Sequence, residues 1–153
     1  MIKISKSPTA DTRTCDWAKV TMGELLDSSR KHIDDVKKVG EAVAEALLVR
    51  IAHHDFDKIL DIDSFYADFQ TGFEKHEWWD RHRRLNRHHL NSPDGVPTSV
   101  DLIDVLEYII DCVTAGLSRS GKVTEVEIDS DVLMRAFKNM VEVIKDSIEV
   151  EEE

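Results

Sequence analysis

A histidine and an aspartate are adjacent at His54-Asp55, in a polar segment that follows an apolar helical pattern. An imidazole nitrogen and a carboxylate oxygen from such a pair can bind one divalent ion, provided that other segments supply further ligands. The sequence therefore predicts a divalent-metal centre assembled from distant parts of the chain. In chain order, the predicted ligands are His32, His54, Asp55, His82, His89 and Asp104. Taken alone, His32 also fits a histidine on a helix surface, and Asp104 an aspartate in the first turn of a helix.

The histidines that follow decide how many ions such a centre holds. On a helical wheel His82 and His89 share a face, whereas His88 points elsewhere. His82 and His89 are two turns apart, roughly 10 Å along the axis, so both serve one site only across a metal pair or through a bend. One ion or two, and His88 or His89 as the ligand, are both open at this point.

Imidazoles and carboxylates together favour Mn, Fe, Zn or Ni, and such an ion lowers the pKa of coordinated water toward ~7. A phosphorus ester is the natural target of the resulting hydroxide. Predicted catalytic groups, which orient water, carry a proton or neutralise charge, are Asp57, Lys58, Glu107 and Asp111. Predicted substrate-binding cations for phosphate oxygens are Arg81, Arg84 and Arg119.

Helical patterns must position these residues. The spacing Thr21-x-x-Glu24 predicts the start of a helix. Gly40 is predicted to interrupt this helix, and a second helical pattern runs from 43 to 53. Further helices are predicted from Ser64 into the His/Arg segment, from 101 to 116 and from 131 to 148. Residues 91–99 predict a loop, and 123–128 a short extended stretch that is either an edge strand or a linker. We expect an all-α, single-domain bundle of about five helices.

The helix predicted at 101–116 is apolar around most of its circumference, which indicates a central place in the core. Asp104, Glu107 and Asp111 interrupt it at helical spacing. Carboxylates on such a helix are costly unless they are paired or bound to metal. These three carboxylates, the acidic stripe, must therefore face either a partner group or a solvent-filled cleft.

Composition limits the functional class. The chain has 153 residues, and we expect one domain over 1–153, with an N-terminal arm at 1–16 and a frayed acidic tail at 149–153. A net charge of -11 argues against general binding to duplex nucleic acid. No apolar run is long enough for a membrane span, and the two cysteines form no CxxC motif, so we expect a cytoplasmic protein. A homo-oligomer is compatible with the sequence.

The order of these motifs resembles the HD-type metal phosphohydrolase superfamily. The resemblance is closer still to a little-characterised phage and bacterial family with His-Asp-x-Ser-Lys, His-x-x-x-Asn-x-His-His and Asp-Leu-x-Glu-Met-x-x-Asp-Trp segments. The matching segments here are 54–58, 82–89 and 104–112, with Asp57 at the Ser position and Tyr108 and Cys112 replacing Met and Trp. The resemblance implies an HD-like helical metal-dependent phosphohydrolase domain but provides no substrate. We expect a nucleotide or a related small phosphoester as the substrate, and the host cytoplasm as the location if the protein is phage-encoded.

Two other functions fit the sequence. An all-α nucleoside triphosphate pyrophosphohydrolase would hold Mg²⁺ on Asp104, Glu107 and Asp111, but it leaves the histidines without a role. A non-catalytic, phage-encoded interaction or inhibitor protein would carry at most a structural metal. A structural site is closed, whereas a catalytic one keeps a coordination position open.

Overall fold

The computed structural model describes residues 1–6, 15–91, 96–123 and 125–151. Their secondary structure is mostly helical, which confirms the predicted all-α class. Among the described residues, no helix combines the length and apolar character that a bilayer crossing requires. The elements are β1 (Ile2–Ser5), α1 (Met22–Ala52), α2 (Asp57–Leu60), α3 (Ile62–Phe69), α4 (Glu77–Leu85), α5 (Leu102–Ser120), α6 (Ser130–Ser147) and β2 (Ile148–Glu151).

The chain forms two compact units, the first comprising residues 1–45 and 142–153. In this unit β1 and β2 pair in parallel, with Ile2 opposite Ile148. Residues 149–151 therefore lie in a strand instead of fraying, because a partner strand satisfies their backbone groups. Residues 7–14 of the predicted arm and 152–153 of the predicted tail lie outside the described residues. The single-domain organisation stays a prediction.

Helix α1 continues through Gly40, so the predicted interruption at this residue is wrong. Its start is as predicted, since the Glu24 carboxylate accepts from the Thr21 backbone N–H at 2.8 Å and the Thr21 hydroxyl accepts from the Glu24 N–H at 3.3 Å. One glycine in a helix interior costs only about 1 kcal/mol relative to alanine. The surrounding helix-forming residues outweigh that cost.

The second unit, residues 46–141, contains all the predicted site residues except His32. Its core joins α5 to α6 and to the segment that precedes α5, and its buried members are Leu90, Val100, Val105, Tyr108, Val132 and Ala136. The Tyr108 hydroxyl lies 2.7 Å from the Glu127 carbonyl oxygen, which ties α5 to the segment before α6. In that segment the described residues, 123 and 125–128, form no strand, which leaves the linker interpretation of this segment.

The helix predicted from Ser64 into the His/Arg segment is divided into α3 and α4. Between them Gly72, Phe73 and His76 have φ of 66°, 62° and 57°. A right-handed helix cannot continue through left-handed residues. The buried carboxylate of Asp68 holds the two parts together, since it accepts from the Trp79 backbone N–H at 3.2 Å.

At the start of α5, Asp101 and Asp104 form a reciprocal capping box. The Asp101 carboxylate accepts from the Ile103 and Asp104 N–H groups, and the Asp104 carboxylate accepts from the Asp101 N–H at 2.9 Å. The first turn of α5, from which the acidic stripe extends, is therefore held in place. Residues 92–95 of the predicted loop lie outside the described residues.

Replacing Gly40 by alanine should raise the free energy of unfolding by about 1 kcal/mol, because the site is mid-helix and a new Cβ would meet nothing within 4 Å. Gly121→Ala is the opposite control, since Gly121 ends α5 at φ 70° and alanine there should cost about 1 kcal/mol. Urea unfolding measures both. Destabilisation by Gly40→Ala would contradict a continuous α1.

Candidate metal centre

The turn that follows α1 presents the His54-Asp55 pair. Residues 53–56 form this turn, and Asp55 adopts the left-handed conformation with φ 52°. Aspartate tolerates this conformation better than most residues, and strained backbone of this kind is concentrated at functional sites. The predicted position of the pair at a helix C-terminus is therefore confirmed.

Four imidazole Nε2 atoms surround the Asp55 carboxylate. His54 Nε2 lies 3.5 Å from Oδ2, and the corresponding atoms of His82 and His88 each lie 3.4 Å from Oδ1. His89 Nε2 lies 4.0 Å from Oδ1 and 2.9 Å from His82 Nε2. The structure thus brings together both members of the His88-His89 pair.

Two groups of side chains in the described part of the chain could each hold a metal ion. One comprises His54, His88 and Asp111, and the other Asp55, His82 and His89, with the ligand atoms of each group within 4.8 Å of one another. His88 Nε2 and Asp55 Oδ1 are buried without a hydrogen-bond partner. Such orphaned buried groups are costly unless a ligand satisfies them, so this donor set fits a divalent transition metal.

Two carboxylates lie behind the imidazoles. Glu107 Oε1 accepts from His54 Nδ1 at 2.9 Å and lies 3.0 Å from His88 Nδ1. Asp57 Oδ2 accepts from His82 Nδ1 at 2.8 Å. Carboxylates in this position fix the imidazole tautomer and leave Nε2 free as the ligand atom. Asp57 and Glu107, predicted to be catalytic, thus lie against the Nδ1 sides of these histidines, and their catalytic role stays a prediction.

Asn86 and the aromatic residues support His82 on its other sides. Asn86 Nδ2 donates to Asp57 Oδ1 at 2.9 Å, and the rings of Trp78 and Trp79 lie 4.7 and 5.3 Å from the His82 ring. The His-x-x-x-Asn spacing contains the signal for Asn86, because residues four apart on a helix are neighbours. The sequence reasoning assigned this asparagine no role.

The protonation states suit a metal centre. Burial lowers the pKa of His89 to about 3 and also lowers that of His82. Burial alone would raise the pKa of Asp55, but the hydrogen bond and charge of Lys58 lower it overall. For Glu107, hydrogen bonds to His88 and His54 likewise outweigh the effect of burial and lower the pKa. His82 and His89 are therefore neutral and these carboxylates ionised at neutral pH, as metal binding requires.

Asp104 is fully buried, but it belongs to neither group of candidate ligands. Its carboxylate pairs with Arg50, and Arg87 donates to it through Nε at 2.9 Å and Nη2 at 2.7 Å. Through these arginines Asp104 joins α1 and the segment after α4 to α5. The sequence reasoning missed Arg50 and gave Arg87 no role, because nothing in their spacing pairs them with residue 104.

The remaining predicted residues are dispersed. His32 is exposed on α1 and belongs to neither group of candidate ligands. Arg81 is exposed and pairs with Asp61, whereas Arg84 and Arg119 are exposed on α4 and α5. Lys58 is the predicted cation that the structure places at the centre, where its ammonium binds Asp55.

Comparisons with family models, curated proteins and solved structures found no match. Membership of the HD superfamily stays a prediction. What this centre does must be inferred from its own residues.

Acidification should destabilise the metal-free protein. Between pH 6.5 and about 3 the unfolded chain protonates residue 89 whereas native His89 stays neutral, so stability falls as pH falls through this window. Each pH unit inside it costs up to about 1.4 kcal/mol per such histidine. Thermal unfolding of chelator-treated protein across this window measures the effect. His89→Gln should show a shallower dependence, and an unchanged dependence would contradict the assignment.

Proposed function

We propose that this chain is a metal-dependent phosphohydrolase that cleaves a small phosphoester, with nucleotides as the first substrate class to test. The observation that carries the proposal is the convergence of four imidazole Nε2 atoms on the ionised carboxylate of Asp55. His54, His82, His88 and His89 with Asp55 and Asp111 would hold one or two divalent ions, and Mn, Fe, Zn and Ni all suit this set.

The exposure of the centre supports a catalytic role over a purely structural one. The His54 and Asp111 side chains are 26% and 32% exposed, whereas His82 and His88 are almost completely buried. One side of the centre therefore reaches solvent, and a substrate can approach it there. A structural site, by contrast, is closed by protein ligands.

A bound divalent ion would supply a water-derived nucleophile at neutral pH and offset the charge of a phosphate. The residues around it would do the rest. Glu107 and Asp57 hold imidazoles in the binding tautomer, and Lys58, which is 28% exposed, would neutralise a phosphate oxygen beside Asp55. Carboxylates outnumber cations at the centre, so an anionic substrate requires bound metal to offset their repulsion.

The pyrophosphohydrolase alternative has less support. Of its three carboxylates, Asp104 pairs with Arg50 and Arg87, and Glu107 hydrogen-bonds His54. Mg²⁺ would be left with Asp111 alone from the stripe. The non-catalytic alternative assumes a structural metal, and the solvent-exposed side of the centre argues against one.

Purified protein reconstituted with Mn²⁺, Fe²⁺, Zn²⁺ or Ni²⁺ should release orthophosphate from nucleotides or small phosphomonoesters. The double variant His54→Ala, Asp55→Ala should bind at least one ion fewer and lose activity by a factor of about 10² or more, since metal binding and substrate activation both depend on this pair. Elemental analysis and a phosphate assay measure the two effects. Absence of metal from both proteins would overturn the proposal, and pyrophosphate as the product would favour the alternative.

Replacing Glu107 by glutamine should weaken metal binding by roughly 10- to 100-fold, because a neutral amide is a weaker acceptor for the His54 Nδ1–H and removes the negative charge beside His54 and His88. Competition with a chelating dye measures the affinity. Glu125→Gln, at an exposed acid of the same unit, is the matched control and should leave affinity unchanged. Equal affinities for the two variants would show that Glu107 does not orient these ligands.

A further inference from the structure

We propose that Asp111, and not Asp104, is the α5 carboxylate that binds metal, and that Asp104 is a positioning residue held by two arginines. This inference rests on the proposed metal-dependent function and assigns the last acidic ligand within it. It departs from the ligand set that the motif order implied, in which Asp104 completes the centre.

Asp104 has no free oxygen for an ion. Oδ1 accepts from Arg50 and from Arg87 Nε, and Oδ2 accepts from Arg87 Nη2 and the Asp101 backbone N–H. Asp104 is 0% exposed, and Asp101 adds a second carboxylate 3.6 Å from Arg50 and 3.7 Å from Arg87. The two arginines and two aspartates balance in charge, and a cation brought to Asp104 would have to displace arginines that already satisfy it.

Asp111 lies at the centre itself. Its Oδ1 is 3.6 Å from His54 Nε2, and its carboxylate belongs with His54 and His88 to one candidate ligand group. His88 is 1% exposed, and its Nε2 has no hydrogen-bond partner. A buried imidazole nitrogen without a partner, within 4.8 Å of a neighbouring carboxylate oxygen, fits a cation bound between the two.

The register of α5 makes the two roles exclusive. Asp104 and Asp111 are two turns apart, roughly 10 Å along the axis, so both cannot reach the Nε2 atom of His54. Glu107 lies between them and occupies the Nδ1 side of the same histidine. Along this helix face, Asp104 pairs with arginines, Glu107 contacts imidazole Nδ1 atoms and Asp111 lies near the His54 Nε2 atom.

The Asp104 cluster positions the centre through its neighbours. Arg50 is four residues before His54, and Arg87 immediately precedes His88. Arg87 is further anchored on the Ser99 carbonyl oxygen at 2.6 Å. Asp104 therefore sets where α1 ends and where the His88-His89 segment lies relative to α5, without contacting the ion.

Titration with Co²⁺, whose visible spectrum reports its ligands, tests the assignment. Asp111→Asn, isosteric and at a partly exposed site, should weaken Co²⁺ binding at least about 100-fold and shift the spectrum, because losing a ligand costs more than losing the group behind one. Asp80→Asn, at a similarly exposed acid of α4 paired with Arg83, is the matched control and should bind Co²⁺ as the unmodified protein does.

Asp104→Asn should keep the spectrum and lose no more than roughly 10-fold in affinity, while its unfolding midpoint falls equally with and without chelator. If this variant does not fold, Arg87→Gln loosens the same cluster and must keep the spectrum. An unchanged Asp111→Asn titration, or a shifted spectrum in the folded Asp104 or Arg87 variant, would overturn the inference. Absence of Co²⁺ binding by the unmodified protein would instead refute the proposed function and this inference with it.

Discussion

The carboxylate of Asp55 lies where four imidazoles meet, and its position depends on a left-handed backbone conformation immediately after α1. If this residue continued the right-handed helix, its side chain would point along the helix surface instead of into the space between His54, His82 and His88. The end of α1 is therefore as important to the centre as any ligand. Lys58 adds to this arrangement, because its ammonium partly offsets the charge of Asp55.

The carboxylates around the centre differ in role because they differ in partners. Asp104 pairs with guanidinium groups, Glu107 contacts imidazole Nδ1 atoms and Asp111 lies near the Nε2 atom of His54, although all three lie on one face of α5. Their chemical type is the same, and only the element opposite each of them distinguishes their roles. A helical stripe of acids therefore describes a surface, and the side chains that it faces determine the chemistry.

The sequence predicted much of the secondary structure correctly. The helical class, the capping box at Thr21 and the position of His54-Asp55 at a helix end all follow from local spacing. The errors arose where local signals were weak or the deciding contacts distant. The energetic cost of Gly40 was too small to end α1, and left-handed residues divided the predicted helix after Phe69. Residues 149–151 pair with a strand that lies more than 140 residues away in the sequence.

By itself, the sequence determined which residues can bind a metal and which segments carry them, because ligand type and helical period are local properties. Only the tertiary structure decided that His88 joins His89 at Asp55, that Asp57 and Glu107 stand behind imidazoles, and that Arg50 and Arg87 occupy Asp104. These pairings join residues 17 to 54 positions apart. Spacing along one helix carries no information about them, since they depend on which helix faces meet.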